Sequence, residues 1–591
     1  MSDSLILVAI GPVQDFIAQA RRTRDLWYGS RLLSDLATCV AESLKENGAA
    51  LIFPAASSGE IMPKGVANKV LAEVPADAKS PEMLARAARE AVMKKWRASA
   101  NEVRKNCSGL IEPGNEAAWS EQIDGFLDFN AAWLPLDQSY RDTRKRLEAV
   151  LAARKNLRDF AQQSRHVMRN SARNSPVNAP KSSLDGARDS ILRAGAQRNA
   201  EIARRFRIAT SEELDAVGLV KRAGGKPDQF IPIINVALGP WLDVAEKQFP
   251  NAFKKLWEAC SKIGLSSAPA PKSFQFDASI MLRDRWLAVF EEQSLEHDGA
   301  TGTAAAALEW GDENVAPLLK MMGEPFPYVA CIVADGDQMG HAIDKCENPE
   351  QHRALSRALN AFAENASIIV KRNGGSLVYA GGDDVLAFAP LTSAVACAAE
   401  LASAFQLELA NVPGRNSESQ PRPTLSVGIG VGHVMESMGH LLDLGRKGEQ
   451  LAKQKRNSLA VVADKRSGGR LEWLASWEDD PKAQLVIDVE ALNDLDVAEI
   501  PSRKIYEIKS ICERFPAKVE EREDADWAKF LRLEVRRAIR RADVGNPLDF
   551  GPGLSDGESY ADSRYKVERW VSRTLIARLL ASATPSLKGE A

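Results

Sequence analysis

Between Val378 and Phe388 the chain reads VYAGGDDVLAF, and this run constrains the fold more tightly than any other part. Two apolar stretches separated by Gly-Gly-Asp-Asp describe a β-hairpin whose turn displays two adjacent carboxylates, Asp383 and Asp384. Gly381 and Gly382 permit positive φ and let a phosphate or a base come close to the backbone. Taken alone, the motif fits a plain acidic turn equally well, so its meaning rests on its neighbours.

Those neighbours alternate strands and helices. Tyr328–Ala334 reads as a strand, DGDQMG as a turn, and about 350–372 as a helix. The strands Ser376–Ala380 and Val385–Phe388 flank the hairpin. A helix over about 392–411, the strand Leu425–Val431, a helix over about 438–455 and the strand Leu459–Val462 follow. That is a ferredoxin-like βαββαβ plan with one extra helix and strand. The N-terminus opens in the same order: strand Leu5–Ile10, Gly11-Pro12, an amphipathic helix from about Val13 into the forties, then the runs Ala50–Phe53 and Lys69–Val74. The two halves lack obvious sequence identity, so a duplication would be ancient. Residues 141–173 are basic and helix-like and end in NSPVNAPKSS, a linker or exposed loop. The expected fold class is α+β, multidomain. Its parts are an N-terminal ferredoxin-like domain over 1–240 with a basic helical insertion, a helical linker domain over 241–322, a second ferredoxin-like domain over 323–475 and a helical C-terminal domain over 476–591.

A chain of 591 residues needs several cores, and 45% hydrophobic with 27% charged residues is ordinary for a soluble protein. No apolar run approaches the roughly 20 residues that span a bilayer, and the N-terminus lacks a basic leader. Cytoplasmic location and no membrane are expected. Seven scattered cysteines without a CxxC argue against a disulfide framework or a zinc site. A net charge of −3 argues against coating nucleic acid over the whole surface. The sole His-Asp dipeptide, His297-Asp298 in EEQSLEHDGATG, has no companion ligands and reads as a surface loop, not as the centre of a metal phosphohydrolase.

A second acidic motif, CIVADGDQMG, ends the strand before the first helix of the second domain with Asp335 and Asp337. That strand is expected beside the one leading into the hairpin, so that Asp335 faces Asp383 and Asp384. Three clustered carboxylates repel one another unless divalent cations neutralise them. Mg²⁺ or Mn²⁺ suits a few carboxylates plus triphosphate oxygens, and two such ions can activate an attacking hydroxyl and stabilise leaving pyrophosphate. Downstream, LGRKGEQLAKQKRNSLAVV carries Arg446, Lys447, Lys453, Lys455 and Arg456. Lys453, among small and apolar neighbours, is placed to reach inward to a triphosphate, and the other four fit a solvated face.

The order of strand-end DxD, the GGDD hairpin, SVGIGVG (426–432) and LAKQKRN resembles the GGDEF and Palm cyclase superfamily. The resemblance implies Asp335, Asp383 and Asp384 as catalytic residues and metal ligands, the backbone of Gly336 as a further metal contact, Gly381 and Gly382 as the nucleotide-facing turn, and Lys453 as a phosphate ligand. GPVQDFIAQARRTRDLWYGSRLLSDL, LIFPA, GVANKVLAEVPAD and LDAVGLVKR further resemble the large, two-Palm subunit of type III-B (Cmr-type) CRISPR effector complexes. That likeness is close over 5–75 and 326–463 and looser over 214–222.

It implies guide RNA, target RNA, an adjacent guide-end-binding subunit and a small helical subunit as partners. It implies ATP as substrate, cyclic oligoadenylate as product and a non-catalytic first Palm. Family members often carry an N-terminal HD nuclease domain and a four-cysteine zinc site, which this sequence does not match, so neither HD nuclease activity nor zinc is expected. His433 matches a family histidine and is either a nucleotide contact or a structural residue. The alternatives are a related nucleotidyltransferase making a dinucleotide or an AMP conjugate, and a non-catalytic scaffold. In the tail, Arg532, Arg536, Arg537, Arg540 and Arg541 are spaced along one helix face, opposite Phe530, Leu533 and Ile539. They are candidate contacts to RNA phosphates or an ordinary solvated face.

Overall fold

The computed structural model of the protein describes residues 3–55, 65–137, 139–157, 167–169, 176–226, 230–269, 274–293, 295–297, 302–410, 412, 423–466, 469–493, 502–540 and 551–585. The first sheet holds β1 (Ser4–Gly11), β2 (Ala50–Phe53), β3 (Lys69–Val74) and β4 (Asp128–Pro135) in the order β2-β3-β1-β4. Helices Thr23–Glu46 and Pro81–Asn106 complete a full βαββαβ unit and share one core with β1 and β3 through Ile6, Val8, Val70 and Ala72. The opposite face, with Leu5, Leu7 and Leu71, is covered by Tyr140, Leu147 and Leu151 of the helix Tyr140–Asn156. The basic stretch expected as an insertion is therefore, in its first part, a layer of the domain itself. Its buried positions, Tyr140, Thr143, Arg144, Leu147 and Leu151, share one face of the helix, and the other charged residues between them face solvent. Further along, the two short strands β5 (Val167–Arg169) and β6 (Pro176–Asn178) pair with each other.

The second sheet contains β7 (Tyr328–Asp337), β8 (Ser376–Gly381), β9 (Asp384–Pro390), β10 (Thr424–His433), β11 (Ser458–Ala463) and β12 (Leu471–Ser476), ordered β12-β11-β10-β7-β9-β8. Its first four strands in chain order, lying side by side as β8-β9-β7-β10, repeat the order of the first sheet. One face packs Ala330, Ile332, Val385 and Ala387 on the helices Pro349–Arg372 and Leu391–Glu408. The other face carries Val329, Cys331 and Phe388 against the helix Met438–Lys455 and the linker helices. The second domain has an edge strand, β12, that the sequence pattern did not reveal.

Two domain limits shift. The expected break at 240 falls inside the helix Ile233–Gln248, which runs on through Pro240. The C-terminal helices, including Tyr560–Ala581, do not form a separate core. Val567, Trp570 and Leu575 join the cluster that contains Leu471 and Trp473 of β12. The strand edge thus gains an apolar cover in place of solvent. Among the described residues no helix is long and apolar enough to cross a membrane.

The two sheet domains touch directly. Tyr140 Oη lies 2.7 Å from His352 Nδ1, Arg144 reaches Asp344 at 2.6 Å, and Arg353 donates to the Leu51 carbonyl at 2.9 Å. The Ala55 amide donates to Ser356 Oγ at 2.8 Å, and Asn360 donates back to the Ala55 carbonyl at 3.0 Å.

Candidate active site

The hairpin forms as its sequence requires. Gly381 pairs with Asp384 across the turn, and Gly382 adopts φ +68°, the left-handed region that suits glycine. β7, however, pairs with β9, the strand leaving the turn, and not with β8, the strand leading into it. The helix Pro349–Arg372 returns the chain one place beyond β7, and the tight hairpin then lays β9 antiparallel in the gap. Since Ala334 pairs with Val385, Asp335 still arrives beside the turn. Carboxylate oxygens of Asp335, Asp383 and Asp384 lie within 4.8 Å of one another.

Gly336 makes this approach feasible. A Cβ there would stand 2.7 Å from Asp383 Cβ and 2.9 Å from Asp383 Oδ2, which leaves no room for any side chain. Burial and repulsion by Asp335 push the Asp383 carboxyl up to about 6. Asp384 rises to about 8 through loss of hydration and, more tellingly for a group still open to solvent, repulsion by Asp383 and Asp335. Three hard oxygen donors that disfavour one another's charge, one of them exposed, fit Mg²⁺ or Mn²⁺ with coordination positions left for a ligand. Tyr379, on β8, donates a 3.3 Å hydrogen bond to the Gly381 carbonyl, and burial holds its phenol above its ordinary value.

Lys453 reaches the cluster from the end of the helix Met438–Lys455. Its Nζ is 2.5 Å from Asp335 Oδ2, 2.9 Å from the Gly336 carbonyl and 3.4 Å from Asp337 Oδ1. What brings that helix so close is a glycine seam. β10 alternates Leu425, Val427, Ile429 and Val431 into the core with Gly428, Gly430 and Gly432 toward the helix. A Cβ on Gly428 would sit 1.9 Å from the Glu449 amide nitrogen, and one on Gly430 would sit 2.2 Å from that of Gly445. Backbone therefore packs on backbone.

Asp337, named in the sequence only as part of the DGD run, is 2% exposed and is not a member of the triad. It accepts hydrogen bonds from Thr424 Oγ1 at 2.8 Å, Ser426 Oγ at 2.8 Å and the Asn457 amide at 2.9 Å. It thereby ties β7 and β10 to the turn Arg456–Asn457, whose residues both have positive φ. Glu449, one turn before Lys453, is a further half-buried carboxyl held above its usual range by burial and by Asp335. Its i, i+4 spacing to Lys453 was the signal available in the sequence.

Other expected residues fall elsewhere. His433 is buried, stands edge-on to Tyr328 at 5.1 Å and accepts the Met435 amide on Nδ1 at 3.1 Å, which is a structural role. His297 pairs with Glu313 at 3.4 Å, and Asp298 lies outside the described residues. The tail arginines do not form one open face. Arg532 is buried and donates to the Glu558 carbonyl at 3.1 Å and to Ser563 Oγ at 3.3 Å. It shares its stripe with Ala528, Leu531, Val535 and Ala538, whereas Phe530 and Leu533 are exposed. The covering helix Tyr560–Ala581 selects the buried stripe, and periodicity alone could not show which face it would cover. Arg536 donates to the Leu554 carbonyl at 3.1 Å, Arg537 pairs with Glu534 at 3.3 Å, the side chain of Arg540 is outside the described part and Arg541 lies beyond it.

In the first domain, β1 ends in Gly11-Pro12 and no acidic cluster forms among the described residues. Arg222 instead bridges Asp25 at 2.5 Å and Glu212 at 2.8 Å, all three buried, so each buried carboxylate has a paired cation.

Fold and site together define a class: paired ferredoxin-like domains, the second of which carries a cluster of three carboxylates beside a lysine. Two domain families match in order, "CRISPR-associated protein Cmr2, N-terminal" over residues 5–101 and "Cas10/Cmr2, second palm domain" over residues 328–460. The likeness to the Cas10/Cmr2 family thus rests on these two segments, one in each sheet domain. The chain is 31% identical over 190 residues to the CRISPR system Cmr subunit Cmr2 of Pyrococcus furiosus, a match that covers 27% of this chain and 21% of that relative. Its fold is similar to that of chains in cryo-EM structures of the Type III-B Cmr-beta complex. For the apo state the TM-score is 0.61 at 12% identity, covering 98% of this chain and 81% of the other. For the state bound to cognate target RNA it is 0.63 at 12% identity, covering 99% and 83%.

Proposed function

We propose that this chain is the catalytic large subunit of a type III CRISPR ribonucleoprotein, and that its second palm joins ATP molecules through 3′–5′ bonds into cyclic oligoadenylate when target RNA pairs with the guide. The observation that carries this reading is the convergence of Asp335, Asp383 and Asp384 beside Lys453 within the segment that matches the second palm of the family. The names of the relatives, a Cmr subunit and Cmr complexes with and without target RNA, support the partners: guide RNA, target RNA and other Cmr-type subunits.

Two divalent ions, when bound, would lower the pKa of the attacking 3′-hydroxyl and neutralise charge on the departing pyrophosphate. Asp335, Asp383 and Asp384 would hold them, Asp384 being the most exposed of the three. Lys453 supplies an ammonium for triphosphate oxygens. Gly382, with open space around its α-carbon, lets the nucleotide approach the turn. The triad also favours catalysis over a purely scaffolding role, because three converging carboxylates are costly unless a cation uses them.

The test is incubation of the assembled complex with labelled ATP and Mg²⁺, with and without target RNA, followed by mass analysis of the products. Cyclic oligoadenylate that appears only with target RNA is the expected result. A linear dinucleotide or an AMP conjugate would move the assignment to a related transferase, and no conversion would leave the scaffold.

A further inference from the structure

The ammonium of Lys453 spends its three hydrogens on Asp335, Asp337 and the Gly336 carbonyl. Asp335 is also one of the three carboxylates of the cluster. A carboxylate 2.5 Å from an ammonium cannot take a divalent ion at the roughly 2.1 Å of an inner-sphere bond without setting two cations against each other. We propose that Lys453 is a resident counter-ion which a divalent cation must displace from Asp335, so that metal and triphosphate enter this site as a coupled pair.

Three features support the exchange. Asp337 is fixed by Thr424, Ser426 and the Asn457 amide, so it can neither follow the lysine nor swing to the metal. The helix bearing Lys453 is held backbone to backbone on β10, so its root stays in place. The side chain itself is 26% exposed and flexible, free to turn outward. Without nucleotide, the lysine neutralises part of the cluster's charge and weakens divalent-ion binding. With a triphosphate present, the ammonium gains phosphate oxygens as partners and releases Asp335. By linkage, the metal in turn strengthens nucleotide binding. The second half of this scheme rests on the nucleotidyltransferase reading, and the first half does not.

The test is a Mn²⁺ titration of the full chain without nucleotide, followed by the EPR signal of the free ion. Lys453→Met should bind Mn²⁺ about tenfold more tightly than wild type, within the ordinary range for coupled sites, and Lys453→Arg should match wild type. Should Lys453→Met fail to fold, Lys453→Gln, which keeps a donor for the Gly336 carbonyl and removes the charge, carries the same expectation. Unchanged or weaker Mn²⁺ binding by the neutral variant overturns the proposal, as does equal tightening by Lys453→Arg. A protein with the expected Mn²⁺ pattern that never converts ATP would refute the function assigned above and leave this inference standing. ATP conversion by wild type with no Mn²⁺ change in Lys453→Met would do the reverse.

Discussion

Replacing Gly428 by alanine should disable the site from behind, without touching any group that meets substrate. The added Cβ would lie 1.9 Å from the Glu449 nitrogen and 2.3 Å from the Gly448 carbonyl carbon, both backbone atoms that cannot rotate away. Ordinary contact begins near 3.4 Å, so the helix Met438–Lys455 must retreat by about 1.5 Å or β10 must bend by as much. Overpacking of this kind costs about 1–3 kcal/mol of stability. The retreat also carries Lys453, four residues beyond Glu449, away from the cluster. Misplacement of a positioning group by about 1 Å can cost roughly 10²-fold in rate. The assay is ATP consumption by the assembled complex, with the urea midpoint of the isolated chain measured in parallel. Gly439→Ala is the control: it lies on the same helix, a Cβ there meets nothing within 4 Å, and both readouts should stay at the wild-type level. A Gly428→Ala protein with wild-type rate and midpoint would refute the claim that the glycine seam positions Lys453.

Changing Asp383 and Asp384 together to alanine should abolish product while leaving assembly and thermal stability at or above wild type, because the mutual repulsion that raises both carboxyls disappears; calorimetry alongside the ATP assay checks this. Asp337→Ala leaves the Asn457 amide and two hydroxyls without their buried acceptor and should lower stability by about 2–3 kcal/mol, read from the shift in urea midpoint. His352, buried between the palms with Arg144 nearby, is held neutral with its pKa lowered to about 4 by burial and then by Arg144. Its folded value lies below the unfolded one, so its contribution is complete above about pH 6.5 and drains away as pH falls toward 4, reaching about 2 kcal/mol of lost stability at pH 5. The difference in unfolding midpoint between wild type and His352→Asn at pH 8 and pH 5 measures it, and equal pH dependence in the two proteins would refute it.

Local chemistry made much of the site legible in advance. A Gly-Gly-Asp-Asp turn between apolar runs has few other ways to fold, because Gly382 needs positive φ and the flanking residues need a sheet. The strand-end DGD and the Ala-Lys of the last helix lie within regular elements whose periods can be counted, so Asp335 and Lys453 were assignable to their element ends. Which of two aspartates in DGD joins the cluster was a different question. Asp335 and Asp337 point the same way along β7, and only the arrival of Thr424, Ser426 and the Asn457 amide turns one of them into a buried clamp.

Sequence by itself therefore determined many of the elements: the βαββαβ run of the second domain, the strand–helix–strand–strand opening of the first, a turn that must present two carboxylates, and a lysine near the end of a helix. These follow from side-chain period and backbone permission, which act over a few residues. Tertiary structure alone decided which strand lies beside β7, which face of the Asp524–Arg540 helix is covered and therefore that Arg532 is buried. It alone decided that the glycines of β10 serve a helix and not a ligand, and that Lys453 rests on Asp335. Each of these depends on which distant surface arrives to exclude water or share a charge. That outcome is settled by packing between segments far apart in the chain, and no local pattern encodes it.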